Sequence, residues 1–138
     1  MIVAVKHNIE VAHRLSLLPG KCENIHGHSM WVTLELEALM GQYDIAENLE
    51  FGAVKKDFRN YLDTEFDHHL LLNATDPFLS RATLANVDVP GVKACPGDPT
   101  TENIAYWIGS EMLNQGYPVS SVTVWETAVN MAKWVLPS

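Results

Sequence analysis

Cysteine is scarce in this sequence of 138 residues, and long apolar runs are missing altogether. The two cysteines, Cys22 and Cys95, form no CxxC pair. A disulfide framework is therefore not expected, and a reducing cytoplasmic setting is. Charged residues interrupt every apolar stretch, so no window is long enough to read as a membrane span. Lys6, His7, Glu10, His13 and Arg14 break up the first residues, which excludes the apolar core of a secretion signal there. Positive charge is short as well. Nine Lys and Arg stand against 17 Asp and Glu, for a formal net charge of −8 and a pI near 5.1. A field of that sign repels phosphate backbones, and no basic stripe with interleaved aromatics offsets it, so nucleic acid is excluded as a partner. Repeats and low-complexity tracts are absent too.

What is present suits one globular domain over residues 1–138, since an apolar fraction of 47% is enough for a sizeable core. From Ile2 to His13 the chain alternates, with Val3, Val5, Ile9, Val11 and His13 on one parity; this predicts a half-buried strand. A loop with Pro19, Gly20 and Cys22 follows. A second alternating run, about His26 to Ala38, sets Val32, Leu34 and Leu36 against Thr33, Glu35 and Glu37. The two runs read as a long antiparallel hairpin.

Val54, Phe58, Tyr61 and Leu62 fall at helical spacing and predict a helix over roughly 52–66. The stretch from Asn73 to Pro99, rich in Asp, Asn, Pro and Gly, reads as a long irregular connection. A second helix is expected to begin near Asp98-Pro99-Thr100, with a capping side chain and a proline in its first turn. Ile104, Trp107, Ile108 and Met112 give it an apolar face, and Gly116 can close it. Val119–Glu126 and Met131–Val135 complete the pattern as a final pair of strands. The order is ββ-α-α-ββ, an α+β architecture with a four-stranded antiparallel sheet and both helices on one face. Such a sheet leaves edges open, so pairing with further copies of the chain is expected.

Three histidines share the inward parity. His26 and His28 stand two apart on one strand and so point the same way, and His13 follows Val3, Val5, Ile9 and Val11 on the other. Three neutral imidazoles with one open position form the usual catalytic zinc set. Parity alone leaves a second reading open, in which each is a hydrogen-bonded core histidine. Glu126 shares the parity of Val122 and Val124, and a carboxylate on an apolar face needs a partner. His7 and His69 belong to no such constellation and are expected to be surface or structural residues, and Cys95, in the irregular stretch, is expected to be non-catalytic.

These residues carry a resemblance. Val11-Ala12-His13-Arg14-Leu15 and Cys22-Glu23-Asn24-Ile25-His26-Gly27-His28 resemble the zinc and nucleophile region of the 6-pyruvoyl/6-carboxytetrahydropterin synthase family. Further matches follow in order: Glu50-Phe51-Gly52, Asp67-His68 with Leu72-Asn73, Pro99-Thr100-Thr101-Glu102-Asn103-Ile104-Ala105, and Trp125-Glu126-Thr127. The similarity leaves out only the stretch Ala74 to Asp98. It implies the tunnelling fold, in which trimeric barrels stack into homohexamers with active sites at subunit interfaces. It implies Zn2+ on His13, His26 and His28, Cys22 as catalytic thiol, Asp67 and His68 as its proton relay, and Glu126 as pterin anchor. Thr101 and Glu102 match positions that help form the pterin pocket.

Three residues separate Cys22 from His26, as in the 6-carboxytetrahydropterin synthases of queuosine biosynthesis. The resemblance therefore implies a zinc-dependent lyase converting 7,8-dihydroneopterin triphosphate to 6-carboxytetrahydropterin, acetaldehyde and triphosphate. Glu23, directly after the cysteine, resembles a bifunctional subgroup in which this glutamate supports release of 6-hydroxymethyl-dihydropterin for folate. The alternatives are that folate-branch reaction, 6-pyruvoyltetrahydropterin synthesis, a non-catalytic pterin- or metal-binding module, and a zinc hydrolase that needs no thiol. Two departures stand out: Glu50 replaces the more usual aspartate, and the loop after Asn73 is long. Against a charge of −8, a triphosphate needs local cations, for which Arg14, Lys21, Lys55, Lys56 and Arg59 are the candidates.

Overall fold

Both alternating runs are strands, β1 over Ile2–His13 and β2 over His26–Glu37, paired antiparallel along their whole length. The computed structural model describes residues 1–38, 49–79 and 90–138. The hairpin register sets Val3 opposite Leu36 and Val5 opposite Leu34, and ends with His13 directly opposite His26. Val3, Val5, Ile9, Val11 and His13 of β1 and Met30, Val32, Leu34 and Leu36 of β2 are buried, as a period of two requires for one covered face.

Helix α1 (Phe51–Glu65) begins where the Glu50 carboxylate accepts from the Gly52 and Ala53 N–H groups. A capping carboxylate serves the helix start as an aspartate would, so the Glu50 departure keeps the local chemistry. Val54, Phe58 and Leu62 face the core. Helix α2 (Thr101–Asn114) is capped by the Thr100 hydroxyl, which accepts from Asn103 N–H. Pro99 thus precedes the cap instead of opening the first turn, and its carbonyl is left free for another use. Gly116, at φ 92, closes the helix in the left-handed region that glycine tolerates. Strands β5 (Val119–Trp125) and β6 (Met131–Val135) follow. Glu126 stands one residue beyond β5.

The sheet is larger than expected. Between α1 and α2 run two further strands, β3 (His69–Asn73) and β4 (Val92–Cys95), giving six in the order β4-β3-β1-β2-β5-β6. β3 joins β1 in parallel, and β4 joins β3 in parallel. The expected four-stranded antiparallel sheet is therefore corrected to a six-stranded mixed one, and the irregular connection from Asn73 is corrected at β4; residues 80–89 of it lie outside the described residues. The physical reason is that β3 is covered along much of its length and shows a continuous Leu70-Leu71-Leu72 run in place of an alternation. The α+β class stands, and one core gathers the inward residues of β1, β2 and β5 under Phe58, Leu62, Ile104, Ile108 and Met112 of the two helices.

The contact of α2 with β6 depends on Gly109. A Cβ there would come within 2.3 Å of the Trp134 ring. Alanine would gain about 1 kcal/mol of helix propensity, while displacing the ring costs about 1–3 kcal/mol. Gly109→Ala is expected to lower the melting temperature by a few degrees, as checked by calorimetry; a rise would show that Trp134 moves aside freely.

Candidate functional site

The end of the β1–β2 hairpin brings the three inward imidazoles together. His13 is fully buried. Its Nδ1 lies 2.8 Å from the Pro99 carbonyl, and the His26 Nδ1 lies 2.7 Å from the Asn24 carbonyl. A carbonyl only accepts, so both Nδ1 atoms carry the proton and both Nε2 atoms present lone pairs. Those two Nε2 atoms face each other at 3.0 Å. Two lone pairs at that distance repel unless a cation lies between them. The His28 Nε2 is buried and without a hydrogen-bond partner, and the ligand atoms of the three residues lie within 4.8 Å of one another. Nitrogens around a tetrahedral zinc stand roughly 3.4 Å apart. The donor set therefore fits a divalent cation of the imidazole-binding kind, with His13, His26 and His28 to hold it.

Burial pushes the His13 imidazole below its ordinary value, and His26 and His28 add to that, against the opposing pull of the Pro99 carbonyl and Glu126. A neutral imidazole is the form that a metal needs. Gly27, between the two ligands of β2, turns toward the other face, where a Cβ would press on the Val11 carbonyl at 3.1 Å. The HGH pattern thus joins two same-side imidazoles across a residue where a side chain would be tightly placed.

Glu126 borders this group. Its Oε1 lies 3.7 Å from His28 Nε2, and its Oε2 accepts from the Thr101 hydroxyl at 2.5 Å. Thr101, Glu102 and Glu126 line one cavity of about 250 Å3, together with Leu15, Leu18, Thr100, Asn130 and Met131. All three residues expected to bind substrate are therefore in one place, beside the imidazoles. Leu15, Leu18, Asn130 and Met131 were not foreseen, because nothing in their local pattern marks them as pocket residues.

Cys22 lies in a single 3-10 turn, Lys21–Glu23, that contains no buried residue, and its carbonyl accepts from the Leu15 N–H, two residues past His13. The thiol is exposed, as is Glu23. The Asp67-His68 pair has the expected internal geometry, with Asp67 Oδ2 2.8 Å from His68 Nδ1, which fixes that ring's tautomer. His68 holds φ 61, a left-handed conformation that a non-glycine residue adopts at a cost of about 1–3 kcal/mol. Burial pushes the Asp67 carboxyl up, but hydrogen bonds from the Glu10 N–H and His68 outweigh it and leave it below its ordinary value.

The pair and Cys22 are held by different parts of β1 and the chain that follows it. The Glu10 N–H donates to Asp67 Oδ1, and the Glu10 carbonyl accepts from the His68 N–H, so the pair is tied to the backbone of β1 where β3 begins to run beside it. Cys22 is tied instead to Leu15, on the order of 15 Å farther along nearly extended chain. His68 lines a cavity of about 560 Å3 with Glu10, Ser29 and Gly91; His28 of the imidazole group lines it too, whereas Cys22 and Glu126 do not. Among the described residues no hydrogen bond links Cys22 to Asp67 or His68.

The remaining expectations divide. Arg14 is partly committed, with Nε on Asp76 and Nη1 on the Glu23 carbonyl. Lys21, Lys55, Lys56 and Arg59 are exposed. His7 pairs with Asp63, and His69 donates to the Asp67 carbonyl, both structural roles. Cys95 is buried, and burial pushes its thiol up to about 11, which makes it inert. Two buried acids were missed. Asp98 accepts from Asn73, Leu17 N–H and the Ser16 hydroxyl, and Asp76 is fully buried against Arg14. Among the described residues no helix is long and apolar enough to cross a membrane.

Comparison with known proteins agrees with this geometry. The sequence pattern described as 6-pyruvoyl tetrahydropterin synthase matches residues 2–135. A 6-carboxy-5,6,7,8-tetrahydropterin synthase from Rickettsia typhi is 26% identical over 126 residues, covering 87% of this chain and 89% of its own. Among solved structures, an uncharacterised protein from Wolinella succinogenes superposes with a TM-score of 0.80 at 19% identity, over 98% of this chain and 97% of its own. The 6-pyruvoyl tetrahydropterin synthase of Caenorhabditis elegans gives 0.66 at 21% identity, over 99% and 97%. These likenesses place the fold in the tunnelling class.

Proposed function

Because the chain belongs to the 6-pyruvoyl tetrahydropterin synthase family, a family of pterin-forming enzymes, we propose that it is a zinc-dependent 6-carboxy-5,6,7,8-tetrahydropterin synthase of queuosine biosynthesis. Its substrate is 7,8-dihydroneopterin triphosphate, and its products are 6-carboxytetrahydropterin, acetaldehyde and triphosphate. The observation that carries the reading is the junction of two features: the imidazole group whose Nε2 atoms converge, and a cavity walled by Glu126 and Thr101 immediately beside it. The relative from Rickettsia typhi bears the same activity in its name, and the spacing of Cys22 and His26 favours that branch.

Each side chain then has a task. Glu126 accepts the paired N–H and NH2 donors of the pterin edge, with Thr101 holding one carboxylate oxygen and Glu102 at the rim. His13, His26 and His28 hold zinc, which supplies Lewis acidity toward the hydroxyls of the substrate side chain. Cys22 takes and returns protons at the side-chain carbons. Asp67 keeps His68 in the tautomer that relays them, and the pair reaches Cys22 from a neighbouring subunit of the trimer-based hexamer, a reading supported by the pair's lack of any hydrogen bond to Cys22 among the described residues and by a His68 cavity that Cys22 does not line. Lys21, exposed beside Cys22, offsets charge on the triphosphate.

Product analysis tests this reading. Zinc-loaded protein is incubated with 7,8-dihydroneopterin triphosphate and the pterins are separated with mass detection, for the wild type and for Glu23→Ala. The expected product is 6-carboxytetrahydropterin from both proteins. Hydroxymethyl-dihydropterin that disappears with Glu23 moves the chain to the folate branch, favoured by the exposure of Glu23 in the same turn as Cys22. A pyruvoyl product moves it to that branch. Pterin bound without turnover leaves a binding module, and failure to bind pterin brings the hydrolase forward.

A further inference from the structure

The turn that carries Cys22 has no core of its own. It enters through Gly20 at φ 101, buries none of its residues and has no side-chain cap. A segment with so few packed contacts opens readily unless something outside grips it. Its own bonds are short-range, Glu23 N–H to the Gly20 carbonyl and Asn24 N–H to the Lys21 carbonyl. Two contacts reach out of it. Leu15 N–H donates to the Cys22 carbonyl at 2.8 Å, and Arg14 Nη1 donates to the Glu23 carbonyl at 3.1 Å.

Arg14 is itself fixed at its other donor. Its Nε bonds Asp76 Oδ2 at 2.9 Å, and the Asp76 side chain is 0% exposed. The second oxygen of Asp76 accepts from Phe78 N–H, so the carboxylate cannot swing away without breaking the start of the helical turn at 77–79. Beyond it Asp76 N–H donates to the Asn73 carbonyl at the end of β3. A rigid series thus runs from β3 through Asp76 and Arg14 to the turn between Lys21 and Glu23.

We propose that Arg14, locked by the buried Asp76, is the positioning residue of the Cys22 thiol. It does not touch substrate; it sets where the thiol stands relative to the hairpin end that carries the imidazoles. The inference rests on the proposed role of Cys22 in turnover. Arginine is required because its planar fork offers two fixed donors at once, one to Asp76 and one to Glu23, whereas a lysine ammonium is a compact point charge that satisfies the buried carboxylate alone.

Arg14→Lys is therefore the informative variant, since it keeps the buried charge paired while releasing the turn. Two readouts are taken on zinc-loaded protein: steady-state kinetics with 7,8-dihydroneopterin triphosphate, and amide hydrogen exchange of residues 21–24 with α2 as internal reference. The expected result is a kcat lower by roughly 10–100-fold with KM and zinc content held, because small misplacement of a reacting group costs about that much. Exchange in the turn rises at least tenfold while α2 is unchanged. Unchanged exchange in the turn overturns the proposal whatever the activity. Faster exchange with wild-type kcat also overturns it, since the thiol then needs no such grip. If the wild type itself is inactive while exchange in the variant rises, the grip on the turn is upheld and the catalytic reading of Cys22 is what fails.

Discussion

Zinc retention is expected to collapse when His13 is replaced by alanine, from about one ion per chain to nearly none after dialysis, with turnover lost in proportion. Loss of a mere outer-shell partner costs roughly 10–100-fold in metal affinity, and loss of one of three ligands costs more. The variant also leaves the Pro99 carbonyl without its donor in a buried place, which costs about 1–3 kcal/mol of stability. His26→Ala separates the two effects. His26 is only half-buried and its own partner is the local Asn24 carbonyl, so the metal is lost there with less damage to the fold. Elemental analysis and chelator competition on both variants decide the matter. Wild-type zinc affinity in either would remove that histidine from the ligand set.

Cys22→Ala is expected to behave in the opposite way, keeping metal and fold while losing chemistry. The thiol is exposed in a turn with no buried residue, so stability should stay within about 0.5 kcal/mol of wild type. A positioned general acid or base contributes roughly 10²–10⁴-fold, and kcat should fall by that amount with zinc content and pterin affinity unchanged. The tie of Asp67 to Glu10 and a His68 cavity that Cys22 does not line add a sharper version of the experiment. Cys22→Ala and His68→Ala chains, each inactive alone, should recover measurable turnover when unfolded together and co-assembled. An intact thiol from one chain then meets an intact relay from its neighbour. No recovery from a mixture that assembles normally would mean that thiol and relay do not meet across an interface.

The imidazole group was legible because it is written in strand parity. Alternation fixed which side His13, His26 and His28 share, and a one-residue slip would have reversed it. Glu126 was legible for the same reason, one step past a strand whose inward residues are Val122 and Val124. The strands β3 and β4 were not, since a parallel strand covered on both sides shows no period and β4 is only four residues long in a stretch full of turn formers. The buried acids were hidden by the same composition. Asp76 and Asp98 look like loop residues, and their burial follows from partners far along the chain, Arg14 in one case and Ser16 with Leu17 in the other. No local pattern could have supplied those partners, nor the Pro99 carbonyl that orients His13.

The bond between His13 and Pro99 also bears on the order in which the site is made. His13 and His26 are 13 residues apart, whereas His13 and Pro99 are 86 apart. In a flexible-chain picture, closing the longer loop costs about 1.7 kcal/mol more, from (3/2)RT ln(86/13). The hairpin that gathers the imidazoles is local and forms early, while the wall built from Thr101 and Glu126 must wait for the C-terminal half of the chain. In a nascent or refolding chain the imidazoles can therefore come together before the wall of the neighbouring cavity exists, so that loss of the C-terminal strands would cost the cavity and leave the cluster of imidazoles in place.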